Sequence, residues 1–239
     1  MVSIIMPTMR PDMAVERLCD FVALHALEQW ELIIPTPLDE SVTRNTVLVD
    51  GPAVRIIRED APRGPLAAHR RALADVRGEY ILYWSDAARP QHGSLEAFVR
   101  DCDAHQAPYV SAWRLFNDAG EELPQWEVYG KPYACWGGLS YVSLAKLDGV
   151  LFDPRYRAFW GDPDLGLRVW EAGGRVGVNP TASCTLLPHD HTPNWERYFE
   201  SDRLAFVNKW HPIYAKRDPE KWAAIDPEDW QSYNTSYHL

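Results

Sequence analysis

The sequence predicts an α/β protein, a single domain with a mostly parallel central sheet flanked by helices. Short apolar runs rich in β-branched residues alternate with longer helical segments in the first half, as in strands joined by crossover helices. A length of 239 residues suits one sizeable core. Hydrophobic residues make up 46% of the chain and charged residues 24%, which excludes a mostly disordered protein.

The elements follow from local patterns. The first strand is the apolar run at residues 2–6, which Pro7 ends. Mixed three- and four-residue spacing of apolar side chains next predicts a helix over 12–28, with Asp12 as its cap. Further strands are predicted at four apolar runs: 31–34, 54–57, 80–84 and 109–115. Further helices are predicted over three segments: 66–76, 95–105 and 164–172.

Charge and cysteine spacing exclude several classes of protein. With 24 Lys and Arg against 34 Asp and Glu, the net charge of −10 disfavours nucleic acid or an anionic membrane as partner, unless a local basic patch exists. No Cys-x-x-Cys pair occurs, so free thiols are expected. Because no basic segment precedes the first apolar run and no 18 consecutive apolar residues occur, we expect a cytoplasmic protein without a membrane span.

Arginines concentrate where the predicted strands end. In parallel sheets ligands bind outside the carboxyl ends of the strands, which here are followed by loops at 7–10, 35–41, 61–70 and 85–90. Four arginines lie in or beside these loops: Arg10, Arg63, Arg70 and Arg89. Arginine binds a diphosphate bidentately, so a ligand contact is expected above all for Arg10 and Arg70, with a solvated surface position as the alternative.

Two groups of residues suggest catalytic or metal chemistry. Asp162 and Asp164 lie at a predicted helix start, where the macrodipole favours negative charge and where a carboxylate can also simply cap the helix. His189 and His191 are alternate residues, so in an extended segment both imidazoles would face one metal site. Two histidines in a surface loop fit the same spacing.

Three segments, in the expected order, resemble the family 2 glycosyltransferases with the GT-A fold, over roughly residues 2–211. They are VSIIMPT at 2–8, GPLAAHRRALADVRGEYI at 64–81 and WGDPDLGLR at 160–168. His69 and Arg70 stand where the family usually has Arg and Asn. The resemblance implies transfer of a sugar from a nucleotide diphosphate donor to the hydroxyl of a glycan or other acceptor, with inversion at the anomeric carbon.

The resemblance also implies roles for individual residues. Asp162 holds the place of the base that removes the proton of the acceptor hydroxyl, and general-base catalysis is typically worth about 10² to 10⁴ in rate. Residues at the strand ends are expected to bind the nucleotide sugar: Pro7, Thr8, Arg10, Arg63, Arg70, Ser85 and Asp86. Acceptor contacts are expected from Trp136, Gly137, Gly138, Trp160 and Asp164.

The metal motif of the family is reduced here. Ser85-Asp86-Ala87 stands where two aspartates normally bind the ribose and a Mn²⁺ or Mg²⁺ ion, and only Asp86 remains. Hard divalent cations prefer several oxygen ligands. A site built from Asp86 with His189 or His191 is therefore expected, and a turn-capping role is the alternative for Asp86.

The resemblance divides the single domain into a nucleotide-sugar-binding half (1–92), an acceptor and catalytic half (93–215) and a C-terminal tail (216–239). Three other functions are considered as alternatives. A glycosyltransferase-like module that only binds nucleotide sugar or glycan fits the reduced metal motif. A nucleotidyltransferase-like enzyme would not explain the Asp162 segment, and a phage-type enzyme acting on DNA hydroxyls is disfavoured by the net charge of −10.

Overall fold

The computed structural model describes residues 1–24, 30–38, 54–188, 196–223, 226, 229 and 234–237. Its strands, numbered along the chain, are β1 (Val2–Ile5), β2 (Trp30–Thr36), β3 (Val54–Arg58), β4 (Tyr80–Tyr83), β5 (Ala88–Pro90), β6 (Tyr109–Phe116), β7 (Gln125–Val128), β8 (Lys131–Tyr133), β9 (Gly137–Ser140), β10 (Arg175–Leu186) and β11 (Asn234–Tyr237). Its helices are α1 (Pro11–Leu24), α2 (Pro65–Ala72), α3 (Ser94–Ala104), α4 (Tyr141–Ala145), α5 (Gly161–Glu171), α6 (Glu196–Arg217) and α7 (Pro219–Trp222).

Eight strands form the central sheet in the order β3-β2-β1-β4-β9-β6-β10-β5. The first four in this order are parallel, as are β6 and β10, whereas β9 and β5 run antiparallel to their neighbours. The predicted mostly parallel sheet flanked by helices is therefore confirmed. Helix α1 is described from Pro11 to Leu24, and residues 25–28 of the predicted helix lie outside the described part.

Both faces of the sheet are covered, which explains why its strands are continuous apolar runs. Ile4 and Leu32 point to one face, where α1 and α3 pack. Ile5 and Ile33 point to the other, where α2, α5 and α6 pack. All four side chains are fully buried. Strand ends are thereby fixed, so the loops that follow β1, β2, β3 and β4 meet at one edge.

Strand β9 corrects one prediction. Gly137 and Gly138, expected to contact an acceptor, are buried inside β9 between β4 and β6. A Cβ atom at either position would lie 2.3 Å from a neighbouring backbone oxygen, that of Ser111 or Ile81. These glycines therefore allow three backbones to approach closely in the middle of the sheet.

The described residues of the segment expected as a tail, 216–239, take part in the fold. Helix α6 continues to Arg217, Trp222 of α7 is buried, and β11 pairs antiparallel with β7 in a second sheet of order β11-β7-β8. Among the described helices, none is both long and apolar enough to cross a bilayer.

Candidate active site

A pocket of about 180 Å³ opens at the carboxyl edge of the parallel strands, beside the start of α2. We call it the strand-end pocket. Its walls are Pro7, Thr8, Met9, Arg10, Pro35, Pro37, Glu59, Pro62, Gly64, Pro65, Ala68, Ser85 and Asp86. Five of the predicted donor-binding residues are among them: Pro7, Thr8, Arg10, Ser85 and Asp86. Arg63 and Arg70 line a neighbouring groove instead.

The buried carboxylate of Asp86 joins the ends of β1 and β4. It accepts a hydrogen bond of 2.6 Å from the Thr8 hydroxyl and one of 3.2 Å from Nε of Arg10. Nη2 of Arg10 forms an ion pair with the second carboxylate oxygen. Both oxygens of Asp86 are thus engaged by the β1 loop, and the Arg10 guanidinium is held at the pocket wall.

These contacts test whether the site suits a divalent cation. Asp86 is the only carboxylate at the expected position, and Arg10 pairs with it. No group of three His, Cys, Asp or Glu side chains among the described residues is arranged to hold a metal ion. His189 and His191 lie outside the described residues. The described residues therefore do not fit a Mn²⁺ or Mg²⁺ site.

Arg70 ties α2 to the loop before α5, which we call the 153–160 loop. Its Nη1 donates to the backbone oxygens of Asp153 and Tyr156, at 3.1 and 2.8 Å. At the N-terminal end of α2, the N–H of Leu66 donates to the oxygen of Arg157 at 3.0 Å. Arg70 therefore positions this loop rather than facing the strand-end pocket, which corrects its predicted role.

Asp202 of α6 holds the same loop from the other side. One oxygen of its buried carboxylate accepts hydrogen bonds from three consecutive backbone N–H groups, those of Arg157, Ala158 and Phe159, at 2.9 to 3.0 Å. The next residue, Trp160, has a left-handed φ of 64° and leads into α5. Its side chain packs against Phe206 and is 7% exposed, so it supports the loop instead of offering a surface to an acceptor.

Asp164 has no exposed surface. Its carboxylate accepts hydrogen bonds from four side chains: Tyr156 at 3.1 Å, Arg168 at 2.8 Å, Lys209 at 2.6 Å and Trp210 at 2.9 Å. A buried charge needs such partners. Asp164 therefore binds α5 to α6 and to the 153–160 loop, and an acceptor cannot reach it, contrary to the prediction.

Asp162 lies in the same helical turn but in different surroundings. Its side chain is half-buried, and desolvation raises the pKa of its carboxyl group to about 8. Burial raises the pKa of Tyr83 and of Cys135, and the nearby charge of Asp162 raises both further. Asp162 thus lies near Tyr83, the last residue of β4. A carboxylate with a pKa near neutrality is suited to general-base catalysis.

Sequence patterns did not reveal the α6 residues that hold the 153–160 loop and the Asp164 carboxylate. Asp202, Lys209 and Trp210 lie more than 40 residues after their partners, on a helix. Their contacts could be inferred only from the packing of α6. The proline-rich walls of the pocket were visible as strand-ending residues, but their convergence depends on the order of the strands.

Comparisons with solved structures identify the fold. GalNAc-T7 with UDP, GalNAc and Mn²⁺ matches 96% of this chain with a TM-score of 0.69 at 10% identity, and this chain covers 52% of it. The chain has the GT-A fold. TarS 1–349 of S. aureus with UDP-GlcNAc matches 97% of the chain with a TM-score of 0.63 at 13% identity, and 78% of that structure is covered.

The complex of TarS 1–349 with UDP has a TM-score of 0.61 at 14% identity, over 95% of this chain and 76% of that structure. This chain thus spans about half of the GalNAc-T7 structure and about three quarters of the TarS fragment. No family model and no curated protein sequence matches the chain. At these identities the comparisons establish the GT-A fold alone.

Proposed function

We propose that this chain is a glycosyltransferase that moves a sugar from a nucleotide diphosphate donor to an acceptor hydroxyl. One observation carries the proposal: a half-buried carboxylate with a pKa of about 8, Asp162, lies near the end of β4, whose next residues line the strand-end pocket. The structures of GalNAc-T7 with UDP and of TarS with UDP-GlcNAc, which share this fold, support a nucleotide-sugar donor.

The strand-end pocket suits the nucleoside part of such a donor. Its walls include five prolines, Pro7, Pro35, Pro37, Pro62 and Pro65, which give it rigid apolar surfaces of the kind that pack on a flat base. Ser85 and Asp86 supply oxygens for ribose hydroxyls. The diphosphate then lies beside the Arg10 guanidinium, whose charge and planar donors match phosphate oxygens.

The transfer is a single displacement in this proposal. Ionised Asp162 accepts the proton of the acceptor hydroxyl while that oxygen forms a bond to the anomeric carbon of the donor. The bond from the anomeric carbon to the phosphate oxygen breaks, and the nucleoside diphosphate leaves with the electron pair. Attack from the opposite face inverts the anomeric configuration. Arg10 stabilises the negative charge that develops on the leaving group.

The ion pair between Arg10 and Asp86 favours one alternative function. Both Asp86 oxygens are engaged by Thr8 and Arg10. The pocket therefore resembles a binding site in which no metal ion assists the departure of the leaving group. A module that binds nucleotide sugar without transferring it would have this arrangement. It differs from the enzyme in a single property, which is turnover.

A donor screen separates the two functions. The purified chain is incubated with UDP-glucose, UDP-GlcNAc, GDP-mannose and dTDP-glucose, with Mn²⁺ or with excess chelator. Water then serves as the acceptor hydroxyl, and the nucleotide released by donor hydrolysis is measured. Asp162→Asn is the matched control, since it removes the base and keeps the volume. We expect release from at least one donor above that control. Binding without release would favour the module, and neither binding nor release would overturn both functions.

A further inference from the structure

A second cavity, of about 590 Å³, lies on the other side of α2 from the strand-end pocket. We call it the arginine groove. Its walls are Arg58, Glu59, Asp60, Arg63, Ala67, Arg70, Arg71, Pro154 and Arg157. Five arginines thus face two carboxylates, which leaves a formal charge of +3 in a chain whose net charge is −10.

Most of this positive charge is free to meet a ligand. Four of the arginines are exposed: Arg58, Arg63, Arg71 and Arg157. Within the described part of the chain, no carboxylate lies within ion-pair distance of Arg58, Arg63 or Arg157. Arg71 contacts Asp75 at 3.3 Å on the surface, a weak pair.

The arginines also repel one another. Burial lowers the pKa of the Arg70 guanidinium, the charge of Arg157 adds to this effect, and the charges of Asp153 and Asp202 oppose it. Arg157 otherwise lies over the ring of Tyr198, 5.6 Å from its centre. Guanidinium groups gathered in one concave surface raise the energy of the free protein and lower that of an anionic complex. Phosphate oxygens fit such a site best, because arginine binds them bidentately.

The position of the groove connects it with the proposed reaction. Glu59 lines both cavities, and on α2 Pro65 and Ala68 face the strand-end pocket whereas Ala67 and Arg71 face the groove. Arg157 lies in the 153–160 loop, five residues before Asp162. Arg10 already lies in the strand-end pocket to balance the donor diphosphate. The groove therefore offers a separate set of cations beside the donor.

We propose that the arginine groove binds phosphate groups of the acceptor, so that the acceptor is a small phosphorylated molecule with a free hydroxyl. This inference rests on the proposed glycosyl transfer. A nucleic acid fits less well, because a long polyanion needs a broad basic surface, whereas this charge is confined to one cavity of an acidic protein.

Titration with tripolyphosphate tests the groove without requiring any nucleotide. Affinity is measured by calorimetry for the wild type, for Arg58→Gln/Arg157→Gln and for Arg100→Gln/Arg175→Gln, a control that removes two exposed arginines outside both cavities. We expect the groove variant to bind at least about tenfold more weakly and the control to bind like the wild type. Equal affinity in all three proteins would overturn the proposal.

Two further arms separate the sources of phosphate. The nucleoside diphosphate of the donor found in the screen is titrated into the same proteins, and we expect its affinity to be unchanged by the groove variant. Competition between that nucleotide and tripolyphosphate, with both weakened in the groove variant, would assign the groove to the donor and overturn the proposal. Tighter binding of a 12-nucleotide single strand than of tripolyphosphate through the same arginines would overturn it in favour of nucleic acid.

The failure of this inference and that of the proposed function can be told apart. If no nucleotide sugar is bound or turned over, glycosyl transfer fails, and with it the role of the groove in acceptor binding. If a donor is turned over but tripolyphosphate binds equally to all three proteins, only the groove assignment fails.

Discussion

Asp162 and Asp164 lie two residues apart in the first turn of one helix, but their carboxyl groups have opposite surroundings. Asp164 is fully buried and accepts hydrogen bonds from four side chains. Asp162 is half-buried, and desolvation raises the pKa of its carboxyl group to about 8. The first carboxylate holds the helix in place, and the second is therefore positioned to exchange a proton.

The first prediction concerns pH. Asp162 must be ionised to accept a proton, and its ionised fraction grows about tenfold per pH unit below its pKa of about 8. We expect kcat/KM for sugar transfer to rise with a slope near one between pH 6 and 8 and to level off above. Initial rates across pH 6 to 9.5 test this. A rate that is constant or falls across the range would exclude Asp162 as a base with a raised pKa.

The second prediction concerns Asp164. Asp164→Asn leaves Lys209 and Arg168 facing a neutral group in a buried site, so we expect unfolding free energy to fall by about 3 kcal/mol or more. Urea denaturation measures this. The control Asp118→Asn, at an exposed turn, should change stability by less than about 0.5 kcal/mol. Equal stability of the two variants would show that the Asp164 network does not hold α5.

The third prediction concerns the Arg10–Asp86 pair. Asp86→Ala removes the partner of Thr8 and Arg10 at the wall of the strand-end pocket, so we expect donor nucleotide to bind at least about tenfold more weakly. Calorimetry is carried out both with Mn²⁺ and with excess chelator. Asp12→Ala, exposed on α1, serves as the control. Unchanged affinity in Asp86→Ala would separate this pocket from the donor.

The fourth prediction compares two glycines that precede helices. Gly64 and Gly93 both have positive φ, of 100° and 75°, but only at Gly64 would a Cβ meet backbone, 2.2 Å from the Arg157 oxygen. Gly93→Ala should cost about 1 to 2 kcal/mol for its conformation alone. Gly64→Ala should cost at least about 1 kcal/mol more, because the 153–160 loop must shift. Equal losses in urea denaturation would contradict this packing.

Local patterns were sufficient to predict five of the six described parallel strands, all except β10. In β1, β2 and β4 nearly every side chain is buried on one face or the other, so the runs are apolar and short. Strand β9 was not predicted because Gly137 and Gly138 have low strand propensity, and their place depends on the close approach of β4 and β6. The short strand β5 falls inside a segment predicted as a loop.

Within the candidate site, the sequence located the loops but not the contacts. Thr8, Arg10 and Asp86 were predicted to meet because strand ends share one edge. The ion pair that joins Arg10 to Asp86 spans 76 residues of sequence, and no local pattern encodes it. Asp164 was expected to contact the acceptor from the family resemblance, whereas its burial depends on Lys209 and Trp210 of another helix.

The central claim is that Asp162 is the base of a nucleotide-sugar-dependent transfer, and one paired measurement tests it. Donor affinity and turnover are measured for the wild type and for Asp162→Asn with the same nucleotide sugar. We expect affinity within a few-fold of the wild type and transfer reduced by about 10² or more, because the base acts on the acceptor and not on the donor. Transfer by Asp162→Asn at the wild-type rate would contradict the claim.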